Sequence, residues 1–200
     1  QLVVRADSNI QTLDDLSGHT VSIGAEESGT ERNATQILEF AGMPSSLVAT
    51  KNLDYIEATK ELKAGDIDAF FCTAGLTTTV IDELSKECDI RLIPLTDTVI
   101  SKMLESSLAY TSEVIPAGTY TGQTTDISTI GVKSVLITKA DVSDDTIEQL
   151  TSLLFEKENE ISYSNSLKLE LTYDFATDDI PIPFHDGAKR YYKACGYSTN

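Results

Sequence analysis

The chain has 200 residues, with 15 Lys and Arg against 32 Asp and Glu and a net charge of −17 at pH 7. So acidic a surface repels phosphate backbones and anionic headgroups, which sets aside nucleic acid and acidic lipid as partners. With 40% hydrophobic and 24% charged residues the chain can build a core, and no apolar run approaches the ~18 residues of a membrane span. Cys72, Cys88 and Cys195 form no CxxC pair, and only two His are present. Neither a disulfide framework, a metal site nor any cofactor is expected.

In chain order, Leu2-Val3-Val4 reads as a strand already in progress, so a natural N-terminal portion is expected to precede it. Thr20 to Gly24 is a short buried strand ending in Gly. Thr30 to Gly42 has Ala34, Ile37, Leu38 and Ala41 at helical spacing and stops at Gly42 and Pro44. Leu47 to Thr50 is a second strand. Asp54 to Ala64 is a helix capped by Asp54 and ended by Gly65. Ile67 to Phe71 is a third strand, Thr77 to Glu87 a helix and Ile90 to Ile93 a fourth strand closed by Pro94. This rhythm predicts an α/β block with parallel pairing and helices on both faces.

The texture then changes. Thr111 to Thr129 is rich in Thr, Gly and Ser and reads as irregular chain. Thr129 to Ile137 reads as a long strand, Asp144 to Glu160 as a helix with Ile147, Leu150 and Leu154 on one face, and Gly187 to Cys195 as the last helix. The expected organisation is a complete inserted lobe over residues 12–124. Residues 1–11 and 125–200 then supply hinge strands and a partial second lobe, so that two extended segments make a double hinge.

The sharpest local signal is Gly24-Ala25-Glu26-Glu27-Ser28-Gly29-Thr30-Glu31, a strand passing through a loop into a helix. Such turns lie at the carboxyl ends of parallel strands, where open α/β sheets bind ligands. The amides of the helix start attract an anion, and Ser28 and Thr30 add hydroxyl donors. The same letters are also an ordinary capping box, Ser28 with Glu31. Three nearby Glu favour a single carboxylate over phosphate. No GxGxxG or P-loop pattern points to a nucleotide.

Thr73, Gly75 and Tyr120 are expected to shape the rest of the site, and Arg5 is a further candidate partner for an acidic ligand. Tyr120 reads equally well as a half-buried interdomain residue, and Arg5 as a surface arginine. His19 reads as a loop residue, His185 as a helix-start residue and Cys72 as a small core hydrophobe. No nucleophile–base pair stands out, so the chain is not read as an enzyme.

The string "SNIQTLDDLSGHTVSIGAEESGTERNATQIL" resembles the I-x-T-L-x-D-L-x-G-x-x-V-S-x-G-x-x-x-S-G-T-E stretch of the TAXI family, the extracytoplasmic solute-binding proteins of TRAP-type transporters. The likeness continues through "AGDIDAFFCTAG", "IPAGTYTGQTTDISTIGV" and "PFHDGAKRYYKACG". Leu76, Asp186 and His19 depart from the pattern, where the family often has Pro, Pro and a basic residue. Ser28, Gly29, Thr30, Gly118 and Tyr120 agree with it.

The resemblance implies a periplasmic-binding-protein-like fold of type II, with two α/β lobes of parallel-rich sheets joined by a double hinge and the first lobe incomplete. It implies a receptor, exported through a signal peptide, for a small carboxylate-bearing solute such as an amino acid or organic acid. TRAP membrane permease subunits are its implied partners, and a periplasm or cell surface its implied location. The alternative is a ligand-sensing domain of the same fold that feeds a signalling receptor. A partial lobe leaves edges that self-association of the fragment would cover.

Overall fold

A computed structural model describes residues 1–157 and 171–199, and the chain divides into two units, Gln1–Gly131 and Val132–Asn200. In the first unit, strands β1 (Leu2–Arg5), β2 (Thr20–Ser22), β3 (Ala49–Lys51), β4 (Ala69–Phe71) and β5 (Ile90–Leu92) form a sheet in the order β3-β2-β4-β1-β5. Helices α1 (Gly29–Phe40), α2 (Tyr55–Ala64), α3 (Thr79–Glu87) and α4 (Asp97–Ser106) alternate with the strands along the chain. A second, two-stranded sheet joins β6 (Tyr110–Ile115) and β7 (Ile127–Val132).

Side-chain alternation distributes these strands between two cores. Ala69 and Phe71 of β4 enter one core with Leu2, Val4, Val21, Ile37 and Met103. Phe70 and Cys72 enter the other with Val3, Leu62, Ile81 and Leu84. α1 and α4 thus cover one face and α2 and α3 the other, and both faces are dry. Local chemistry fixes the helix starts: Ser28, Asp54 and Thr96 each accept a backbone N–H from three residues ahead. Gly65 ends α2 in the left-handed region at φ +81°.

The parallel rhythm holds for β2 with β3 and with β4. It fails at β1, which runs antiparallel to both β4 and β5. Leu2-Val3-Val4, expected in a second lobe, therefore lies between two strands of the first unit. The reason is burial: all three side chains are at most 2% exposed, Leu2 and Val4 on one face and Val3 on the other. A strand apolar on both sides fits only an interior position.

α4 and β6 occupy stretches where no regular element is expected. The long strand expected over Thr129 to Ile137 is instead Ile127–Val132, and residues 133–139 carry no regular structure. Arg91 fastens the segment after β1, its guanidinium donating to the carbonyls of Ala6, Ser8 and Ile10 at 2.6, 3.2 and 2.9 Å.

The second unit contains α5 (Asp144–Glu156), α6 (Tyr173–Thr177) and α7 (Asp186–Ala194). Residues 158–160 of the expected helix lie outside the described residues. α5 and α7 meet closely at their starts, where a Cβ on Gly187 would overlap the Asp144 carbonyl. Arg190 lies 2.8 Å from the Asp145 carboxylate and 3.3 Å from that of Glu148. Phe155 stacks on Tyr173 and meets Tyr192 edge-on. His185 caps α7 by accepting the Gly187 N–H at 3.1 Å, in keeping with its reading as a helix-start residue.

Phe70 is fully buried on an interior strand. Phe70→Ala is expected to cost about 3–5 kcal/mol in urea unfolding, and a cost below about 1 kcal/mol would place the core elsewhere.

Candidate functional site

β2 and β4 run parallel, so their carboxyl ends share one edge of the sheet. The segments that leave them lead into α1 and α3, and α2 follows β3 at the same edge. The first residues of these helices are therefore gathered there.

The loop between β2 and α1 is built by short-range hydrogen bonds. Ser28 Oγ accepts the Glu31 N–H at 3.1 Å. The Glu31 carboxylate reaches back to the Glu27 N–H at 2.6 Å and accepts from Asn52 Nδ2 at 2.7 Å. Asn52 also donates to the Gly24 carbonyl at 3.1 Å. The capping reading of Ser28 and Glu31 is thus correct, and it coexists with a surplus of donors. Among the described residues the amides of Gly29 and Thr30 meet no acceptor, and neither does the Ser28 hydroxyl proton. Glu31 is occupied, which leaves Glu26 and Glu27 as exposed carboxylates beside the loop.

Thr30 behaves differently from the expectation. Its side chain is 5% exposed, and Oγ1 lies 2.6 Å from the Tyr55 hydroxyl. Tyr55 donates to the Thr73 carbonyl at 3.0 Å and accepts the Thr73 N–H at 3.2 Å. A phenol has one proton, and here Thr73 takes it, so the Thr30 hydroxyl is the donor to Tyr55. What Thr30 leaves without an acceptor among the described residues is its backbone N–H. Thr73 Oγ1 accepts from Asn33 Nδ2 at 3.3 Å, which leaves its own proton unassigned. The Tyr110 hydroxyl braces the same helix at 2.9 Å from both Asn33 Oδ1 and Gln36 Oε1. Burial raises the Tyr55 and Tyr110 phenols above their ordinary range, so both stay neutral donors at physiological pH.

Ser28, Gly29, Thr30 and Thr73 are thus brought together. Gly75 lies exposed on the segment between β4 and α3. Tyr120 is 3% exposed and supports that segment from below. Its hydroxyl donates to Gln1 Oε1 at 2.7 Å and accepts the Thr78 N–H at 3.3 Å, while Gln1 Nε2 donates to the Ala74 carbonyl at 3.3 Å. Tyr120 also lines a cleft of about 420 Å³ with Arg91, Pro94 and the 121–127 segment.

Arg5 is not brought to this edge. Leu2 pairs with Phe71 at the carboxyl end of β4, so Arg5, three residues on, lies at the opposite end of β1. There it holds Asp7 through Nε at 3.0 Å and Nη2 at 3.3 Å. His19, expected as a free loop residue, sits 3.2 Å from the Asp68 carboxylate. Cys72 is buried, and its thiol is pushed up to about 11 by burial, as suits a core hydrophobe.

Tyr55, Asn33 and Asn52 carry the site's architecture and were not anticipated. A signal existed for Tyr55: it is the first residue of a helix that follows a parallel strand, and such residues start at the ligand-binding edge.

Gly24 has φ +100°, and a Cβ there would lie 2.7 Å from Thr30 Cβ and 3.0 Å from Ser28 Oγ. Gly24→Ala is expected to destabilise the protein by about 1–3 kcal/mol. It should also displace the Gly29 and Thr30 amide resonances while leaving those of α7 in place. Unmoved Gly29 and Thr30 signals would show that the loop does not depend on this close approach.

Burial pushes the Tyr120 phenol up to about 12. Its folded pKa then exceeds the unfolded value of about 10, so its contribution to stability is full below that pH and declines as pH rises toward about 12. Urea midpoints should fall less steeply over that alkaline window in Tyr120→Phe than in the parent chain. Parallel declines would assign the titration to another group.

Solved structures with the same fold include the periplasmic aliphatic sulphonate binding protein SsuA from Escherichia coli. The likeness has a TM-score of 0.50 and 16% identity, over 97% of this chain and 60% of that one. A structure from glutathione import via GshT and the cystine ABC importer TcyBC of Streptococcus mutans is similar at a TM-score of 0.50 and 14% identity, over 86% of this chain and 60% of that one. The matched region thus spans about three fifths of each of these two structures. What they share with this chain is a periplasmic-binding-protein-like α/β fold with a mixed sheet. Over residues 1–196 the sequence matches the NMT1-like family, and the chain belongs to that family.

Proposed function

We propose that the chain is the ligand-binding part of an extracytoplasmic solute receptor. It captures a small molecule through a single oxyanion and hands it to a membrane permease without chemical turnover. The observation that carries this reading is the set of donors without acceptors at the carboxyl edge of β2 and β4: the Ser28 hydroxyl and the Gly29 and Thr30 amides. A helix N-terminus with free amides favours an anion by both charge and hydrogen bonding. Glu26 and Glu27 alongside disfavour a multiply charged one. An aliphatic sulphonate and glutathione, named with the two similar structures, both carry such a group.

The finer reading is a TRAP-type receptor of the TAXI kind for a carboxylate. It rests on the run from Ile10 to Glu31 and on the later stretches that resemble that family. In this reading the solute lies between two lobes that close on a double hinge, with the unit Gln1–Gly131, rather than residues 12–124, belonging to one lobe. Closure would bury the oxyanion and strengthen each charge-assisted hydrogen bond to roughly 1.5–3 kcal/mol.

Ser28→Asp separates binding from folding. Aspartate caps a helix as well as serine does, but it has no proton to donate and adds a negative charge. In the protein carrying its full natural chain, a thermal-shift screen of small carboxylates and sulfonates identifies a ligand, and calorimetry measures it. Ser28→Asp is expected to keep the melting temperature of the unliganded protein and to weaken that ligand at least ~10-fold, the equivalent of one charge-assisted hydrogen bond. Undiminished affinity would remove the oxyanion from this loop.

A further inference from the structure

The cleft of about 420 Å³ beside β5 is lined by Ile90, Arg91, Leu92 and Pro94 on one side and by the segment 120–127 on the other. In the sheet β5 is separated from β2 by β1 and β4, three strand spacings of ~4.8 Å, so this cleft is distinct from the Ser28–Thr30 loop. Two opposite charges line it. Arg91 donates through Nη1 and Nη2 to the carbonyls of Ala6, Ser8 and Ile10. A guanidinium has five N–H groups, so Nε–H and one Nη2–H keep no acceptor among the described residues. Carbonyls fix the head group but do not balance its charge. Among the described residues no carboxylate pairs with Arg91, although the chain carries 32 Asp and Glu against 15 Lys and Arg. Asp126 supplies the other charge. Its Oδ1 accepts the Ala117 N–H at 2.8 Å, and its Oδ2 has no partner among the described residues.

Each group is tied to its own stretch of backbone instead of to the other. Gln123 builds the wall that carries Asp126. Its Nε2 donates to the carbonyls of Ile115, Pro116 and Thr125 at 3.3, 3.0 and 3.0 Å, and its own carbonyl accepts the Gly118 N–H at 2.9 Å. The Leu95 N–H, donating to the Ser128 carbonyl at 2.9 Å, ties this wall to the chain leaving β5. A guanidinium and a carboxylate that line one cleft without pairing are complementary to a ligand that carries both opposite charges.

We propose that this cleft is a second binding site, for a small zwitterion of the amino-acid kind, whose carboxylate meets Arg91 Nε and Nη2 and whose ammonium group meets Asp126 Oδ2. A ligand with one charge fits worse. A carboxylate alone is repelled by Asp126 and an ammonium alone by Arg91, whereas the zwitterion pairs with both. Occupancy of the cleft is independent of the oxyanion reading of the Ser28–Thr30 loop.

L-Alanine carries both charges at neutral pH, N-acetyl-L-alanine only the negative one and L-alaninamide only the positive one. Each is titrated into the protein carrying its full natural chain, with amide resonances followed by two-dimensional NMR. L-Alanine is expected to move the amides of Thr124, Thr125 and Asp126. Each single-charge analogue should require at least ~10-fold higher concentration for the same movement, the step expected for one charge-assisted hydrogen bond. Asp126→Asn keeps an oxygen for the Ala117 N–H and removes the charge. It should weaken L-alanine at least ~10-fold and leave N-acetyl-L-alanine unweakened, so that the two respond within about threefold of each other.

Failure of L-alanine to move these three amides overturns the proposal, and movement of Gly29 and Thr30 alone would assign L-alanine to the other site. Equal response of the parent protein to L-alanine and N-acetyl-L-alanine reduces the cleft to an anion site at Arg91 and overturns the zwitterion. An unchanged L-alanine response in Asp126→Asn overturns it as well.

Discussion

β1 is held on both sides, by β4 and by β5, and among the described residues β5 has no other partner in the sheet. Everything beyond β4 on that flank therefore depends on three apolar residues, Leu2, Val3 and Val4. Their alternation divides them between the two cores, so the strand fastens the α1 and α4 layer to the α2 and α3 layer. Its antiparallel direction has a second effect. The start of the strand arrives at the carboxyl edge of β4, and Gln1 meets Ala74 and Tyr120 there. The support beneath the segment from Thr73 to Thr78 is thus a consequence of which way one strand runs.

Much of this architecture is legible in the letters. The order from β2 to β5 follows from apolar runs separated by helical spacing, and the caps Ser28, Asp54 and Gly65 mark their helices correctly. The direction of β1 is not legible, because a run of apolar residues has a period but no polarity along the sheet. β6 escapes notice for another reason: Ser112, Glu113 and Val114 are all exposed, so the strand has little of the alternation that betrays a half-buried one. Ser28, Gly29 and Thr73 are found by reasoning about strand ends. Arg5, expected beside a hinge, lies instead at the far end of β1, because Leu2–Val4 runs antiparallel between β4 and β5.

Hydrogen-bond polarity is the part of the site that residue types cannot convey. Threonine at position 30 suggests a hydroxyl donor to the solute, yet its proton is committed to a tyrosine 25 residues away. Only the arrangement of Thr30, Tyr55 and Thr73 decides which groups remain to donate. The acidic character of the chain acts over a different range. Exposed charges separated by more than about 8 Å are largely screened at physiological salt. The net charge of −17 therefore opposes an approaching anion at long range only when salt is low, while the donors act at contact at any salt. An anionic solute bound here would associate faster, not slower, as salt is raised.

Among the described residues the opposite flank of the sheet ends at β3, whose three residues are Ala49, Thr50 and Lys51. An unpaired strand edge is a template on which another chain can nucleate a ladder. This edge is blunted twice: it is only three residues long, and Lys51 is drawn to Glu61 at 2.8 Å, which places a charge at its end. Growth of the sheet by addition of foreign strands is thereby discouraged where it would otherwise be easiest. A short, charged edge of this kind can stay exposed without seeding fibrous aggregates.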